Sequence, residues 1–176
     1  MLLISGENKN IKNEKIVVIC VPVIFLFACT NSTGINTDNI SVVQKYIEAV
    51  QSKNVDAMTA LLADDYIGYG PSYSDSINKK DAIANWKNVS ENLYESIEYT
   101  RSFNFAAKLT EGPRPGDYVA DWSSLKIKYK DGRGPVYLNV NAVYRIENGK
   151  ITTSRTFYDE ADVYRQLGDS FVPPGQ

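Results

Sequence analysis

The chain has 176 residues, a net charge of −2 and 43% hydrophobic residues, enough for one domain with its own core. It carries no block of basic residues, so a nucleic-acid partner is excluded. It contains no histidine, which removes Ser-His-Asp and Cys-His nucleophile systems and the usual zinc sites; no metal or cofactor is expected, and proton transfer near neutral pH falls to a carboxylate, lysine or tyrosine.

Ile16 to Ala28, "IVVICVPVIFLFA", is an unbroken apolar run. A helix of that length reaches about 20 Å, whereas a bilayer span takes about 20 residues. Lys9, Lys12 and Lys15 precede it, as in a signal peptide. Leu26-Phe27-Ala28-Cys29 resembles the lipobox of bacterial lipoproteins. That resemblance implies cleavage before Cys29 and acyl chains, palmitate among them, on its thiol and new amine. Cys20 then leaves with residues 1–28, and no disulfide is expected. The expected address is the bacterial cell envelope, with the domain anchored to a membrane. Thr30 to Asp38 has no apolar periodicity, so residues 29–38 read as a flexible tether.

The domain is expected over 39–168. Asn39 to Ser52 reads as a helix with Ile40, Val43, Ile47 and Val50 on one stripe and Tyr46 beside it. Asn54 suits the cap of a short helix carrying Met58, Leu61 and Leu62. Tyr66 to Tyr69 predicts a brief strand broken by Gly70-Pro71. Asn78 and Asp81 form a box-like cap, followed by Ala82, Trp86, Val89 and Leu93 at helical spacing.

After Glu95 the period changes to two. Tyr99, Phe103, Phe105 and Ala107 are expected on one face of a strand. The Glu111–Gly116 stretch is a loop, and it lacks the lysine and helix of a phosphate cradle. Tyr118 to Tyr129 is a second strand. Val136 to Ile146 is a third, with Leu138, Val140, Ala142 and Tyr144 facing the core. Asn148-Gly149 marks a hairpin into Ile151 to Tyr158. Asp159 then caps a terminal helix ending at Leu167-Gly168, and 169–176 read as a disordered tail. Helices leading a curved antiparallel sheet make an α+β cone, with the N-terminal helices on the concave face.

This order, with "KYIEAVQSKNVDAMTALLADDY" and the closing "ENGKITTSRTFYDEADVYRQLG", resembles the nuclear transport factor 2-like superfamily, its SnoaL-like branch in particular. The resemblance spans about Asn39 to Leu167 and implies the fold more firmly than any activity. In the ketosteroid isomerases of that superfamily the first helix carries an oxyanion-hole tyrosine, which Tyr46 matches. Their base, an aspartate before a proline, is replaced here by Gly70 before Pro71. Their second oxyanion donor, an aspartic acid, is replaced by Ala142. Neither replacement can hold a proton or an enolate oxygen. The dehydratases' histidine machinery is absent as well.

Three side chains remain as catalytic candidates: Asp121, Tyr46 and Asp159. Tyr46 reads equally as a donor into a pocket or as a core ring with its hydroxyl at a rim. Strict alternation puts Asp121 on the face of Leu125 and Ile127, where desolvation would make it a usable base. The length of the strand favours the other reading: a bulge that turns it outward, or a salt bridge to Arg101. Asp159 reads first as a helix cap.

The expected pocket is lined by Tyr46, Trp86, Val140, Ala142, Tyr144, Ser154, Thr156 and Tyr158. It would take a small apolar or aromatic molecule without catalysis. The alternatives are a cofactor-free lyase or isomerase using Asp121 with Tyr46, and a dimeric interaction module with no pocket function. Arg155, Asn139 and Asn141 fall on the outer face, where the resemblance implies a homodimer contact.

Overall fold

The computed structural model describes residues 35–169. The leader, Cys29, residues 29–34 of the tether and residues 170–176 lie outside the described residues. Helix α1 (Asp38–Gln51) forms because Val43, Tyr46, Ile47 and Val50 recur on one stripe, and all four are buried. It ends where Lys53 turns left-handed at φ 54, and the Lys53 ammonium bonds the Tyr94 and Glu95 carbonyls. Asn54 then caps α2 (Val55–Leu61) by accepting from the Ala57 N–H at 3.0 Å.

Strand β1 (Leu62–Tyr69) follows directly, earlier and longer than the brief strand expected. A three-residue strand β2 (Ser76–Asn78) pairs with it, an element without a signal of its own in the sequence. Asn78 caps α3 (Lys79–Asn88) reciprocally: it accepts from the Asp81 N–H and donates to the Asp81 carboxylate, each at 2.9 Å. The helical run does not continue as α-helix to Leu93. Val89–Leu93 widens into a π-helical turn before β3 (Tyr94–Leu109).

Strands β4 (Gly116–Tyr129), β5 (Val136–Glu147) and β6 (Lys150–Tyr158) complete a six-stranded sheet of order β2-β1-β6-β5-β4-β3. All pairs are antiparallel except β1 with β6. The β5–β6 turn is Asn148-Gly149, both with positive φ (51 and 70), as a two-residue hairpin requires. Helix α4 (Glu160–Gln166) docks on β5 through Gln166, which donates to the Tyr137 carbonyl and accepts from its N–H. The result is an α+β fold with N-terminal helices on a curved, unclosed sheet. Its core joins Val43, Met58 and Tyr46 to Val119, Leu125, Ala142, Tyr144 and Ile151.

Two expectations about strand faces are corrected. In β4 alternation is unbroken: Val119, Asp121, Ser123, Leu125, Ile127 and Tyr129 are all buried. Asp121 therefore points inward, neither bulged outward nor paired with Arg101. The irregularity lies in the neighbouring strand, where the β3–β4 register shifts between Tyr99 and Arg101. One extra residue there swaps the faces of all that follows. Phe103 and Phe105 consequently leave the face of Tyr99 and emerge on the outside, 58% and 47% exposed.

A polar centre on the concave face

The site is built from the inward row of the sheet. Asn104, Asp121, Ala142 and Thr156 lie side by side across β3, β4, β5 and β6. The row beneath holds Ser102, Ser123, Val140 and Tyr158; the row above holds Val119, Tyr144 and Ser154. Asp121 is 1% exposed. Its Oδ1 accepts three hydrogen bonds, from Ser102 Oγ at 2.8 Å, Asn104 Nδ2 at 2.8 Å and Ser123 Oγ at 2.7 Å. Its Oδ2 is buried and has no hydrogen-bond partner. Among the described residues Asp121 takes part in no ion pair.

Phenols surround this carboxylate. The rings of Tyr46 and Tyr144 meet edge to face at 6.0 Å. Burial pushes the Tyr144 hydroxyl far up, and the neighbouring Tyr99, Tyr46 and Asp121 add to the effect. Burial likewise raises Tyr99, with Asp121 as the second cause. Tyr46 is raised by burial and then by Tyr66, with the Trp86 indole opposing. Tyr66 is raised by burial, while its 2.7 Å hydrogen bond with Ser154 works against the shift. Phenols held this way keep their protons at neutral pH, and they act as donors and apolar walls rather than as bases.

The structure gathers the residues that sequence reading set around a pocket. Ala142 pairs with Thr156, Tyr144 with Ser154 and Val140 with Tyr158, all on one face, while Tyr46 and Trp86 reach the same core from the helices. Ala142, Tyr144 and Ser154 are covered, whereas Val140, Thr156 and Tyr158 are only partly buried. Asp159 stands apart. Its carboxylate caps α4 by accepting from the Asp162 N–H at 2.9 Å and faces Arg165 at 3.7 Å. Sequence reading missed Ser102, Asn104 and Ser123 as partners of Asp121. Their period-two spacing on facing strands was the available signal, but the register that brings them together was not.

Two concavities lie elsewhere on the described residues. One of about 630 Å³ runs beside α2 and the β5–β6 turn, lined by Asp64, Lys79, Glu147 and Lys150 among others. The other, about 920 Å³, covers the outer face, where Trp122, Phe103, Phe105 and Phe157 are exposed beside Asn139 and Asn141. Among the described residues no cluster of three or more His, Cys, Asp or Glu side chains is arranged to hold a metal ion, and no helix is long and apolar enough to cross a membrane.

The family model described as the SnoaL-like domain matches residues 43–154, which contain the whole inward row except Thr156. The chain belongs to the SnoaL-like domain family. No curated protein matches it. Solved structures similar to this SnoaL-like chain share the nuclear transport factor 2-like fold. An LEH-like epoxide hydrolase of M. tuberculosis is 20% identical with a TM-score of 0.56, over 74% of this chain and 90% of that one. A protein of ketosteroid isomerase-like fold from Catenulispora acidiphila, in complex with trimethylamine, is 16% identical with a TM-score of 0.58, over 75% and 97%. An NTF2-like protein of unknown function from Burkholderia pseudomallei is 19% identical with a TM-score of 0.54, over 75% and 98%. At these identities the likeness concerns the fold.

Proposed function

We propose that this SnoaL-like protein binds a small, part-apolar organic molecule on the concave face of its sheet and does not turn it over. One observation carries the reading: Asp121 is buried with one oxygen held by three donors and the other left without a partner. Burying an acceptor with nothing to bond is costly, and such a group marks a place built for an incoming donor. The phenol walls supply apolar area and hydrogen bonds but no second acid–base group. The Catenulispora relative in complex with trimethylamine supports a ligand of small size on this fold.

In the same reading Cys29 carries acyl chains and anchors the domain to a bacterial membrane through the tether. Two copies pair through the outer sheet face.

The inward orientation of Asp121 also favours a second reading, a cofactor-free lyase or isomerase in which Asp121 works with Tyr46. A thermal-shift screen of small organic molecules on the full chain separates these readings, because a ligand bound only by the folded state raises its stability. Ligands recovered unchanged after prolonged incubation support binding alone. Products that form with the wild type and vanish in Asp121→Asn establish the second reading. A screen in which nothing shifts the transition overturns both. For the anchor, Cys29→Ala is expected to release the protein from membranes, and unchanged retention refutes lipidation.

A further inference from the structure

The hydrogen bonding of the concave centre is incomplete, because Asp121 Oδ2 has no partner. Asp121 is 1% exposed, it is in no ion pair among the described residues, and the chain has no histidine to offer. The donors on its Oδ1 are two hydroxyls and an amide, all neutral. Its titratable neighbours Tyr99 and Tyr144 bring no positive charge. A carboxylate taken out of water without a cation is among the least favourable arrangements a protein interior can hold. As a carboxylate oxygen, Oδ2 accepts and does not donate.

We propose that the ligand of this site is a small organic ammonium ion whose N–H donates to Asp121 Oδ2. The inference rests on the reading that the concave face binds a small molecule, and it names the chemical class. Opposite Asp121 stands Ala142, whose side chain is a single methyl. Tyr99 and Tyr144 lie near enough to Asp121 to feel its carboxylate, and Tyr46 packs edge to face on Tyr144, so aromatic rings, which attract cations, belong to the same part of the core. Val140, Thr156 and Tyr158, in the neighbouring positions of β5 and β6, are partly exposed. Selectivity follows from charge: a neutral molecule of the same shape leaves the carboxylate uncompensated, and an anion is repelled.

The test compares benzylammonium, benzyl alcohol and benzoate, and their butyl counterparts, by calorimetry on the full chain at neutral pH. The ammonium compounds are expected to bind about tenfold to a hundredfold more tightly than the alcohols, the range for a hydrogen bond to a charged group. The carboxylates are expected not to bind. Asp121→Asn is expected to erase the preference for ammonium over the alcohols. The comparison within the wild type needs no variant, so it stands even where Asp121→Asn fails to fold. Alcohols that bind as tightly as ammonium ions overturn the inference and leave the binding reading intact. So do carboxylates that bind best. An ammonium preference that survives in folded Asp121→Asn also overturns it. Silence from every probe overturns the inference and the binding reading together.

Discussion

Ala142 stands directly across the β4–β5 ladder from Asp121, on the same face of the sheet. Ala142 is the position at which the resembling isomerases carry an acid. Here the carboxylate sits one strand over, fixed by neighbours on β3 and β4 rather than aimed from β5. Gly70, which the resemblance sets at the isomerases' base, has no room for a side chain. A side chain there would meet the Asp75 carboxylate, whose Oδ2 lies 1.9 Å from the position of a Cβ.

The unpartnered Oδ2 predicts an unusual stability pattern. Asp121→Asn keeps an oxygen for Ser102, Asn104 and Ser123 and removes a buried charge, so the ligand-free chain is expected to be within about 1 kcal/mol of wild type, or more stable. Asp121→Ala strips the acceptor from all three donors and leaves a void, at a cost of about 2–4 kcal/mol. Urea denaturation at neutral pH reads both. Equal losses for the two variants would show that the charge itself is needed for folding.

A second coupling joins Gly68, Tyr66 and Ser154. A Cβ at Gly68 would lie 2.6 Å from the Tyr66 hydroxyl, which is held at 2.7 Å by Ser154. Gly68→Ala must therefore push the hydroxyl off its partner and is expected to destabilise by about 1–3 kcal/mol. In a Tyr66→Phe background the closest contact is removed, while those to Ile77 Cγ2 at 3.1 Å and to the ring Cζ at 3.3 Å remain. The Gly68→Ala penalty there is expected to fall by about 1 kcal/mol or more, measured as a double-mutant cycle. Additive losses would refute the contact.

What could be read from the sequence was local. Asn54, Asn78 and Asp159 each bond an N–H three residues on, a relation contained in a few adjacent residues. Asn148-Gly149 likewise fixes its own turn. The candidate site was legible only in part, because its assembly is a property of register between strands. The shift between Tyr99 and Arg101 on β3 depends on how β3 meets β4, and no period within β3 reveals it. It decides that Ser102 and Asn104 reach Asp121, and that Phe103 and Phe105 do not join Tyr99. The parallel β1–β6 pairing and the three-residue β2 are invisible for the same reason.

The buried phenols predict sensitivity to alkali. Tyr46, Tyr99 and Tyr144 all have folded pKa values above their ordinary 10.0, chiefly through burial. The fold prefers their neutral forms, so their contribution is complete below pH 10 and is lost as the pH rises from there through the folded values. Stability measured at about pH 9 and about pH 11 is expected to fall steeply between the two. Tyr144→Phe, which cannot ionise, is expected to flatten that slope even though it lowers stability at pH 9. An unchanged slope would mean that Tyr144 is not the buried phenol described.

The outer face carries the last prediction. Phe103, Trp122, Asn141 and Phe157 form one row across four strands, and Trp122 meets Phe105 edge to face at 5.8 Å. Trp122 is 57% exposed and Phe157 44%. Large aromatic side chains bury roughly 150–250 Å² each when fully covered, and a stable interface needs about 800 Å² from each partner. Such a row therefore supplies a large part of an apolar centre, and the flanking Asn139, Asn141 and Arg101 can form a polar rim. The full chain is expected to sediment as a dimer at micromolar concentration. The Phe103→Ser, Trp122→Ser double variant is expected to sediment as a monomer with unchanged circular dichroism, because both side chains point away from the core. A wild type that remains monomeric at about 100 μM, well above the dissociation constants expected of interfaces this size, would refute pairing through this face.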